Sequence, residues 1–134
     1  MQVRDAMTPT VLTIGPTHTL RQAAKQMQAR QVGAAVVLDP EADGPGILTE
    51  RDVLDAVASD QDPDREIAAD HLTADAVVAT PEWPLTDAAA AMLAGGFRHL
   101  VVCDAGEVVG VLSVRDLLRV WSGRPASPSA AEQP

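Results

Sequence analysis

The chain has 134 residues, which is enough for one domain or for two small units that share a core. Its 46% of apolar and 22% of charged residues indicate a folded protein. A formal net charge of −9 and the near absence of aromatic residues argue against sequence-independent binding of DNA or RNA, which needs a positive surface or a stacking platform.

Apolar runs and cysteine usage limit the cellular context. No apolar run is long enough for a transmembrane helix, and the opening Met-Gln-Val-Arg-Asp is not a signal peptide, so we expect a cytoplasmic protein without a membrane partner. The single cysteine, Cys103, excludes an intramolecular disulfide framework. Because it ends the run Leu-Val-Val-Cys, we predict that it acts as a small buried hydrophobic residue.

The first half of the chain alternates short apolar runs with one clear amphipathic pattern. Thr19 is the predicted N-cap of a helix in which Leu20, Ala23, Ala24 and Met27 follow the i, i+3, i+4, i+7 rule for a buried face. In chain order the predicted elements are a short helix at 3–7, a strand at 11–14, a helix from 19 to 30, strands at 34–38 and 46–49, and a helix at 50–59. In that last helix, Val53, Leu54 and Val57 are predicted to face inward.

The same order returns in the second half. Leu85, Ala88, Ala89 and Met92 repeat the helical pattern at an offset of 65 residues, and a shorter loop reduces the offset to 64 for the last strand and helix. There Leu117, Leu118 and Trp121 repeat the residues predicted to face inward. We interpret this as a duplication. The predicted division is a first repeat at 3–59, a linker at 60–65, a second repeat at 66–122 and a disordered tail at 123–134. The predicted fold class is α+β, with tandem β-α-β-β-α repeats packed about a pseudo-two-fold axis.

One motif occurs in both repeats, as G-I-L-T-E-R-D from residue 46 and G-V-L-S-V-R-D from residue 110. Each copy predicts a strand that runs directly into a helix. Thr49 and Asp52, and likewise Ser113 and Asp116, would lie at the junction, where unpaired helical N–H groups favour an anion.

The duplicated order and its motif G-h-h-[ST]-x-x-D, in which h is apolar, resemble the CBS (cystathionine beta-synthase) domain pair, or Bateman module. The resemblance covers about residues 3–121, including the Met-Thr-Pro at residues 7–9. It implies a regulatory protein without enzymatic activity that binds AMP, ADP, ATP or S-adenosylmethionine in clefts between its repeats. No cofactor would be required.

The resemblance also implies the ligand-binding residues. The motif carboxylate would accept hydrogen bonds from the ribose hydroxyls, the motif hydroxyl would help to hold phosphate, and backbone of the first strand would face the base. One cleft would use Thr49, Asp52 and backbone near Leu12 and Thr13, and the other Ser113, Asp116 and backbone near Val77 and Val78.

Basic residues make the two sites unequal. Family members often carry a basic residue where the second strand begins, and the second repeat has Arg98 and His99 there, while the first has uncharged residues. Either cleft could use these two side chains. Arg51 and Arg115 stand where many adenylate binders have a hydroxyl, and they either contact phosphate or point outward. We therefore expect at most one well-used site, with Arg98 as the residue that decides it.

Structural alternatives stand beside each assignment. Asp52 and Asp116 either contact ligand or only cap a helix. Thr49 and Ser113 either contact ligand or bond local backbone, and Arg98 either binds phosphate or forms a surface salt bridge. No metal-ligand set and no catalytic arrangement can be assembled.

The leading hypothesis is a stand-alone regulatory protein that senses an adenosine-containing ligand and signals to an unidentified protein partner. It would form a homodimer through exposed helical surface that includes Leu93, Ala94 and the outer side of residues 53–58. The alternative is a ligand-free dimerisation or interaction module of the same fold.

Overall fold

The computed structural model of the chain describes residues 1–74 and 76–123. Apart from Gly123, the predicted disordered tail lies outside the described residues and stays a prediction.

The described residues form two three-stranded sheets and four α-helices, together with two short 3-10 turns. The predicted α+β class and the β-α-β-β-α order of each repeat are confirmed. The elements are β1 (Thr13–Ile14), α1 (Leu20–Arg30), β2 (Ala34–Val37), β3 (Gly46–Thr49), α2 (Glu50–Ala58), β4 (Val78–Ala79), α3 (Leu85–Gly95), β5 (His99–Asp104), β6 (Glu107–Ser113) and α4 (Val114–Trp121). The 3-10 turns cover Val3–Asp5 and Ala68–Asp70.

Both sheets have the same topology. In each, the middle strand pairs in parallel with the short first strand and antiparallel with the third, in the orders β1-β2-β3 and β4-β5-β6. The middle strand β2 is buried along its whole length, as expected for a short run of Ala and Val with neighbours on both edges. The duplication in the sequence is thus a duplication in structure.

The compact units of the structure differ from the repeats of the sequence. The unit that we call continuous runs from Leu12 to Ala76, whereas the split unit joins Met1–Val11 to the described residues from Val77 onward. The segment before each first strand therefore belongs to the unit built around the other repeat's helices. Repeat boundaries and structural units are two different divisions of this chain.

The split unit has a core to which the N-terminal segment contributes. Val3 and Ala6 are fully buried among residues of β4, α3, β5, β6 and α4. The backbone N–H of Val3 donates to the carbonyl of Trp83 at 2.8 Å, and Thr8 and Val111 exchange two backbone hydrogen bonds of 2.9 and 3.0 Å. The N-terminal segment is thus an integral part of this unit.

The continuous unit is built in the same way from its own residues. Its core contains Leu12, Leu20, Met27, Leu48 and Ala68, all at most 4% exposed. Thr73 exchanges backbone hydrogen bonds with Ile47 at 2.9 and 3.0 Å, at positions that match Thr8 and Val111 in the repeat.

The predicted inward faces of the two motif helices were partly wrong. Leu54 and Val57 in α2 are 63% and 51% exposed, and Leu118 and Trp121 in α4 are 63% and 54% exposed. The core-facing positions are instead three residues apart: Val53 and Ala56 in α2, and Leu117 and Val120 in α4. Each residue advances about 100° around a helix, so Leu54 and Leu118, one position after the core-facing Val53 and Leu117, are turned away from the core. Cys103, predicted to be buried, is only partly buried.

Candidate functional site

The first motif forms a helix N-terminus closed by reciprocal hydrogen bonds, which we call the first corner (residues 49–52). Thr49 ends β3 and is the N-cap of α2. Its hydroxyl accepts from the backbone N–H of Asp52 at 3.3 Å, and Oδ2 of Asp52 accepts from the backbone N–H of Thr49 at 2.8 Å. This is a capping box with Asp in the place of the usual Glu.

The second motif has the same geometry at the second corner (residues 113–116). Ser113 ends β6 and caps α4, with its hydroxyl 3.1 Å from the backbone N of Asp116. Oδ2 of Asp116 accepts from the backbone N–H of Ser113 at 2.8 Å. The capping alternative is therefore observed at both corners, and it engages only one oxygen of each carboxylate.

Sheet register places the first strand and the corner of each unit on opposite sides of the same middle strand. In the continuous unit, Thr49 lies opposite Ala34 at the start of β2, and the carbonyl of Leu12 accepts from the N–H of Val36, two residues along β2, at 2.9 Å. Thr13 pairs with Val36 and is exposed. The predicted set of Leu12, Thr13, Thr49 and Asp52 thus lies within one unit.

The second predicted set is assembled in the same way within the split unit. Val78 pairs with Val101 on β5, and His99, two residues before Val101, lies directly opposite Ser113. Val77 is 45% exposed just before β4. The structure therefore places Val78 and Ser113 in the same sheet, with Val77 just before it and Asp116 just after it, and their contact with a ligand stays a prediction.

The two motif carboxylates have different surroundings. Asp116 is 3% exposed. Its Oδ1 forms a salt bridge with the guanidinium of Arg119 and lies 3.4 Å from the hydroxyl of Thr8. With Oδ2 bonded to Ser113, both oxygens of Asp116 have partners inside the protein.

Asp52 lacks this enclosure. Its carboxylate is partly exposed, and the described residues place a partner on Oδ2 only. The residue of α2 that matches Arg119 at the repeat offset of 64 is Asp55, which is exposed and of the same charge as Asp52. The residue that matches Thr8 is Thr73, which is also exposed. The first corner thus presents a carboxylate oxygen that the second corner keeps inside.

Basic side chains gather around the second corner. The carbonyl of Arg98 accepts from the N–H of Val114 at 3.0 Å, and the Arg98 side chain is exposed. The matching carbonyl in the first repeat belongs to Gly33, which accepts from Glu50 at 2.9 Å. Arg115 is exposed as well. Arg98, Arg115 and Arg119 against one aspartate give the second corner a positive balance in a chain whose net charge is −9.

The first corner has the opposite balance. Arg51 is exposed at the start of α2, but Glu50, Asp52 and Asp55 surround it with acidic groups. The two corners therefore differ in chemistry: carboxylate hydrogen-bond acceptors predominate at the first corner and guanidinium donors at the second.

The sequence did not predict the two side chains that contact Oδ1 of Asp116, Arg119 and Thr8. Arg119 lies three residues after Asp116, a spacing that permits an ion pair on a helix, so this pair could have been predicted. The contact with Thr8 could not, because Thr8 comes from the other end of the chain.

Other sites receive less support. In the described part of the chain, no group of three or more His, Cys, Asp or Glu side chains could hold a metal ion. None of the helices in that part is both long and apolar enough to span a lipid bilayer.

Comparison with known proteins gives a consistent family match. The family model for the CBS domain matches residues 3–59 and again residues 66–123. An uncharacterised 17.7 kDa protein of Acidianus ambivalens is 37% identical over 119 residues, which are 88% of this chain and 71% of that protein. The uncharacterised protein MJ1225 of Methanocaldococcus jannaschii is 32% identical over 88% of this chain, which spans only 42% of that longer protein.

Solved structures agree with the family match. A CBS domain protein of Pyrobaculum aerophilum, solved in complex with AMP, is 29% identical and superimposes with a TM-score of 0.79. The alignment covers 91% of this chain and 99% of that one.

Proposed function

Because the chain belongs to the CBS domain family, we propose that it is a regulatory protein that binds an adenosine-containing ligand at its motif corners and passes the state of occupancy to a protein partner. AMP, ADP, ATP and S-adenosylmethionine are the candidate ligands. The proposal includes no catalytic step.

The observation that carries this proposal is the repeated corner. Each corner has a hydroxyl and a carboxylate at the N-terminus of a helix, next to the sheet that contains the first strand of its unit. A nucleoside offers the matching groups: vicinal hydroxyls for a carboxylate, a base edge for backbone amides and carbonyls, and phosphate for cations and helical N–H groups. That a relative 29% identical over nearly its whole length was solved with AMP supports the choice of ligand class.

Arg98 is the proposed phosphate contact. Arg98 is exposed next to the second corner and can form a charge-assisted hydrogen bond with phosphate. Its counterpart in the first repeat, Gly33, has no side chain that could do so. Such a bond contributes about 1.5–3 kcal/mol.

A thermal-shift panel with AMP, ADP, ATP and S-adenosylmethionine at millimolar concentration tests the proposal. A ligand present at 100 times its dissociation constant adds about 2.7 kcal/mol to the free energy of unfolding. For a chain of this size, that corresponds to a rise in melting temperature of roughly 10 °C. If no member of the panel raises the melting temperature, the nucleotide proposal is wrong.

Arg98→Ala then identifies the phosphate contact. We expect it to weaken AMP at least about tenfold while leaving adenosine, which has no phosphate, nearly unchanged. Arg30→Ala is a matched control, since Arg30 is also exposed, belongs to neither motif and lies in the continuous unit, whereas Arg98 lies in the split unit. Equal losses for AMP and adenosine would show that Arg98 acts on the fold and not on the phosphate.

The ligand-free interaction module is the second candidate, and two observations favour it. Both motif carboxylates cap a helix, and Asp116 also forms a buried salt bridge with Arg119. The same thermal-shift panel separates the candidates, because the module would ignore every nucleotide.

We also propose that the chain forms a homodimer through apolar side chains on its helices. Leu93 is 86% exposed, Leu54 63% and Val57 51%, so these apolar side chains are accessible to a second copy of the chain. Replacing Leu93 or Leu54 with glutamate should shift the mass measured by light scattering toward the monomer. A monomeric wild-type protein would contradict this part of the proposal.

A further inference from the structure

The two corners share their motif but differ in one helical position that decides what the motif carboxylate can do. In α4 the position three residues after the motif aspartate is Arg119, and in α2 it is Asp55. Arg119 forms a salt bridge with Oδ1 of Asp116, and its side chain is only 9% exposed. Asp55 is exposed and carries the same charge as Asp52, so it cannot pair with it.

From this difference we infer that Arg119 is a positioning residue that withdraws Asp116 from ligand recognition. Asp52 is then the motif carboxylate that accepts hydrogen bonds from vicinal hydroxyls of a ligand. The inference rests on the proposed function for its ligand, and it assigns the hydroxyl-binding role to the first corner.

A ligand hydroxyl would reach Asp116 only by displacing Arg119. Oδ2 of Asp116 is held by the backbone N–H of Ser113, and Oδ1 by Arg119 and Thr8. Displacement would leave a buried guanidinium without its counter-ion, and Nε of Arg119 is already buried without a partner among the described residues. An unpaired buried charge is among the most unfavourable arrangements in a protein interior. Two neutral hydroxyl donors cannot replace the charged donor that they remove.

Asp52 needs no such displacement. Its Oδ2 completes the capping box, and no described residue holds its Oδ1. The carboxylate is partly exposed, and its Oδ1 can accept a hydrogen bond from a ligand hydroxyl while Oδ2 keeps the helix cap. The second corner keeps its exposed donors, Arg98 and Arg115, and is suited to an anion and not to a diol.

Isothermal titration with adenosine as the probe tests the inference in the 134-residue chain, because adenosine carries the vicinal hydroxyls and has no phosphate for Arg98 to bind. We expect Asp52→Asn to weaken binding about tenfold or more, because an amide in this position removes the charge that strengthens the hydroxyl contact. Asp87→Asn, at an exposed aspartate in the first turn of α3 and outside both motifs, should leave the dissociation constant within about threefold of the wild-type value. Unchanged binding in Asp52→Asn would overturn the inference.

A transplanted arginine provides a second test that leaves the buried pair intact. Asp55→Arg places a guanidinium three residues after Asp52, as in α4, and should weaken AMP binding by occupying the carboxylate. Since it also adds positive charge, which by itself would favour an anionic ligand, a weaker affinity is diagnostic. Asp55→Gln is the matched control, because it removes the acid without adding a guanidinium. If Asp55→Arg binds AMP as tightly as Asp55→Gln, the inference is wrong.

A third measurement separates this inference from the proposed function. Carbodiimide-driven coupling of an amine to exposed carboxylates, followed by peptide mass spectrometry, needs no nucleotide. Asp52 should be modified and Asp116 protected in the wild-type chain, and Asp55→Arg should protect Asp52. If AMP and its relatives fail to bind, the proposed function fails, while this labelling pattern still decides the role of Arg119. Equal labelling of Asp52 and Asp116 in the folded wild-type chain would refute it.

Discussion

Removing the guanidinium from the buried Asp116–Arg119 pair should strongly destabilise the chain. Arg119→Met keeps an unbranched side chain of moderate length but leaves the carboxylate of Asp116 without its counter-ion. The two side chains are only 4% and 9% exposed, so solvent screens the pair little. Breaking a buried pair from one side costs about 3–5 kcal/mol. For a chain of 134 residues, this corresponds to a fall in melting temperature of roughly 10–20 °C.

A double-mutant cycle measured by urea denaturation checks the origin of that loss. Asp116→Asn with Arg119→Met removes both charges while Asn can still accept from the backbone N–H of Ser113, so the double variant should recover much of the stability. Glu82→Gln is a control for an exposed pair, because Glu82 and its partner Arg4 are 57% and 50% exposed, and should cost about 1 kcal/mol or less. The reasoning is refuted if Arg119→Met unfolds within about 1 kcal/mol of the wild type, or if the two substitutions simply add.

Three further perturbations test other parts of the structure. Val3→Ala removes two methyl groups from a fully buried side chain and should lower the free energy of unfolding by roughly 2 kcal/mol, whereas Val77→Ala, at a 45% exposed side chain, should cost much less. Gln31 and Gly96 occupy matching left-handed positions after α1 and α3, with φ of 56° and 70°. Gln31→Gly should therefore stabilise the chain by about 0.5–1 kcal/mol and Gly96→Ala should destabilise it, as measured by chemical denaturation. Partial burial raises the pKa of the Cys103 thiol, so its alkylation by iodoacetamide should reach half its maximal rate at a higher pH in the native than in the unfolded chain; identical pH profiles would contradict this assignment.

The order of the elements could be predicted because the sequence states it twice. The helical spacing from Leu20 to Met27 recurs from Leu85 to Met92, so a misassignment in one repeat would have conflicted with the other. The predicted strand over 46–49 coincides with β3, because Pro45 before it and the capping hydroxyl of Thr49 at its end mark both boundaries.

The orientation of α2 and α4 could not be predicted from hydrophobicity alone. Apolar residues occupy two adjacent stripes of each short helix, and periodicity does not say which stripe meets the sheet. In α2, the small Ala56 rather than Leu54 is buried, which reverses the assignment that residue size alone would favour.

A difference in basic residues between the two corners was predicted, but the closure of Asp116 was not, because Arg119 and Thr8 lie outside the motif. Arg98 and His99 were identified from the start of β5, a purely local signal. The closure of Asp116 depends on Thr8, which lies 108 residues away in sequence. A long-range contact of this kind leaves no periodic trace in the chain.

The division into a continuous and a split unit has a consequence for folding. All contacts that define the continuous unit form within Leu12–Ala76, whereas the split unit needs Val3 to reach Trp83 and Thr8 to reach Val111. Closing so long a loop costs conformational entropy before any of these contacts forms. The same N-terminal segment supplies Thr8 to the buried pair of the second corner. The enclosure of Asp116 therefore combines a partner from its own helix, Arg119, with one from the N-terminal segment, Thr8, so it is complete only in the folded split unit.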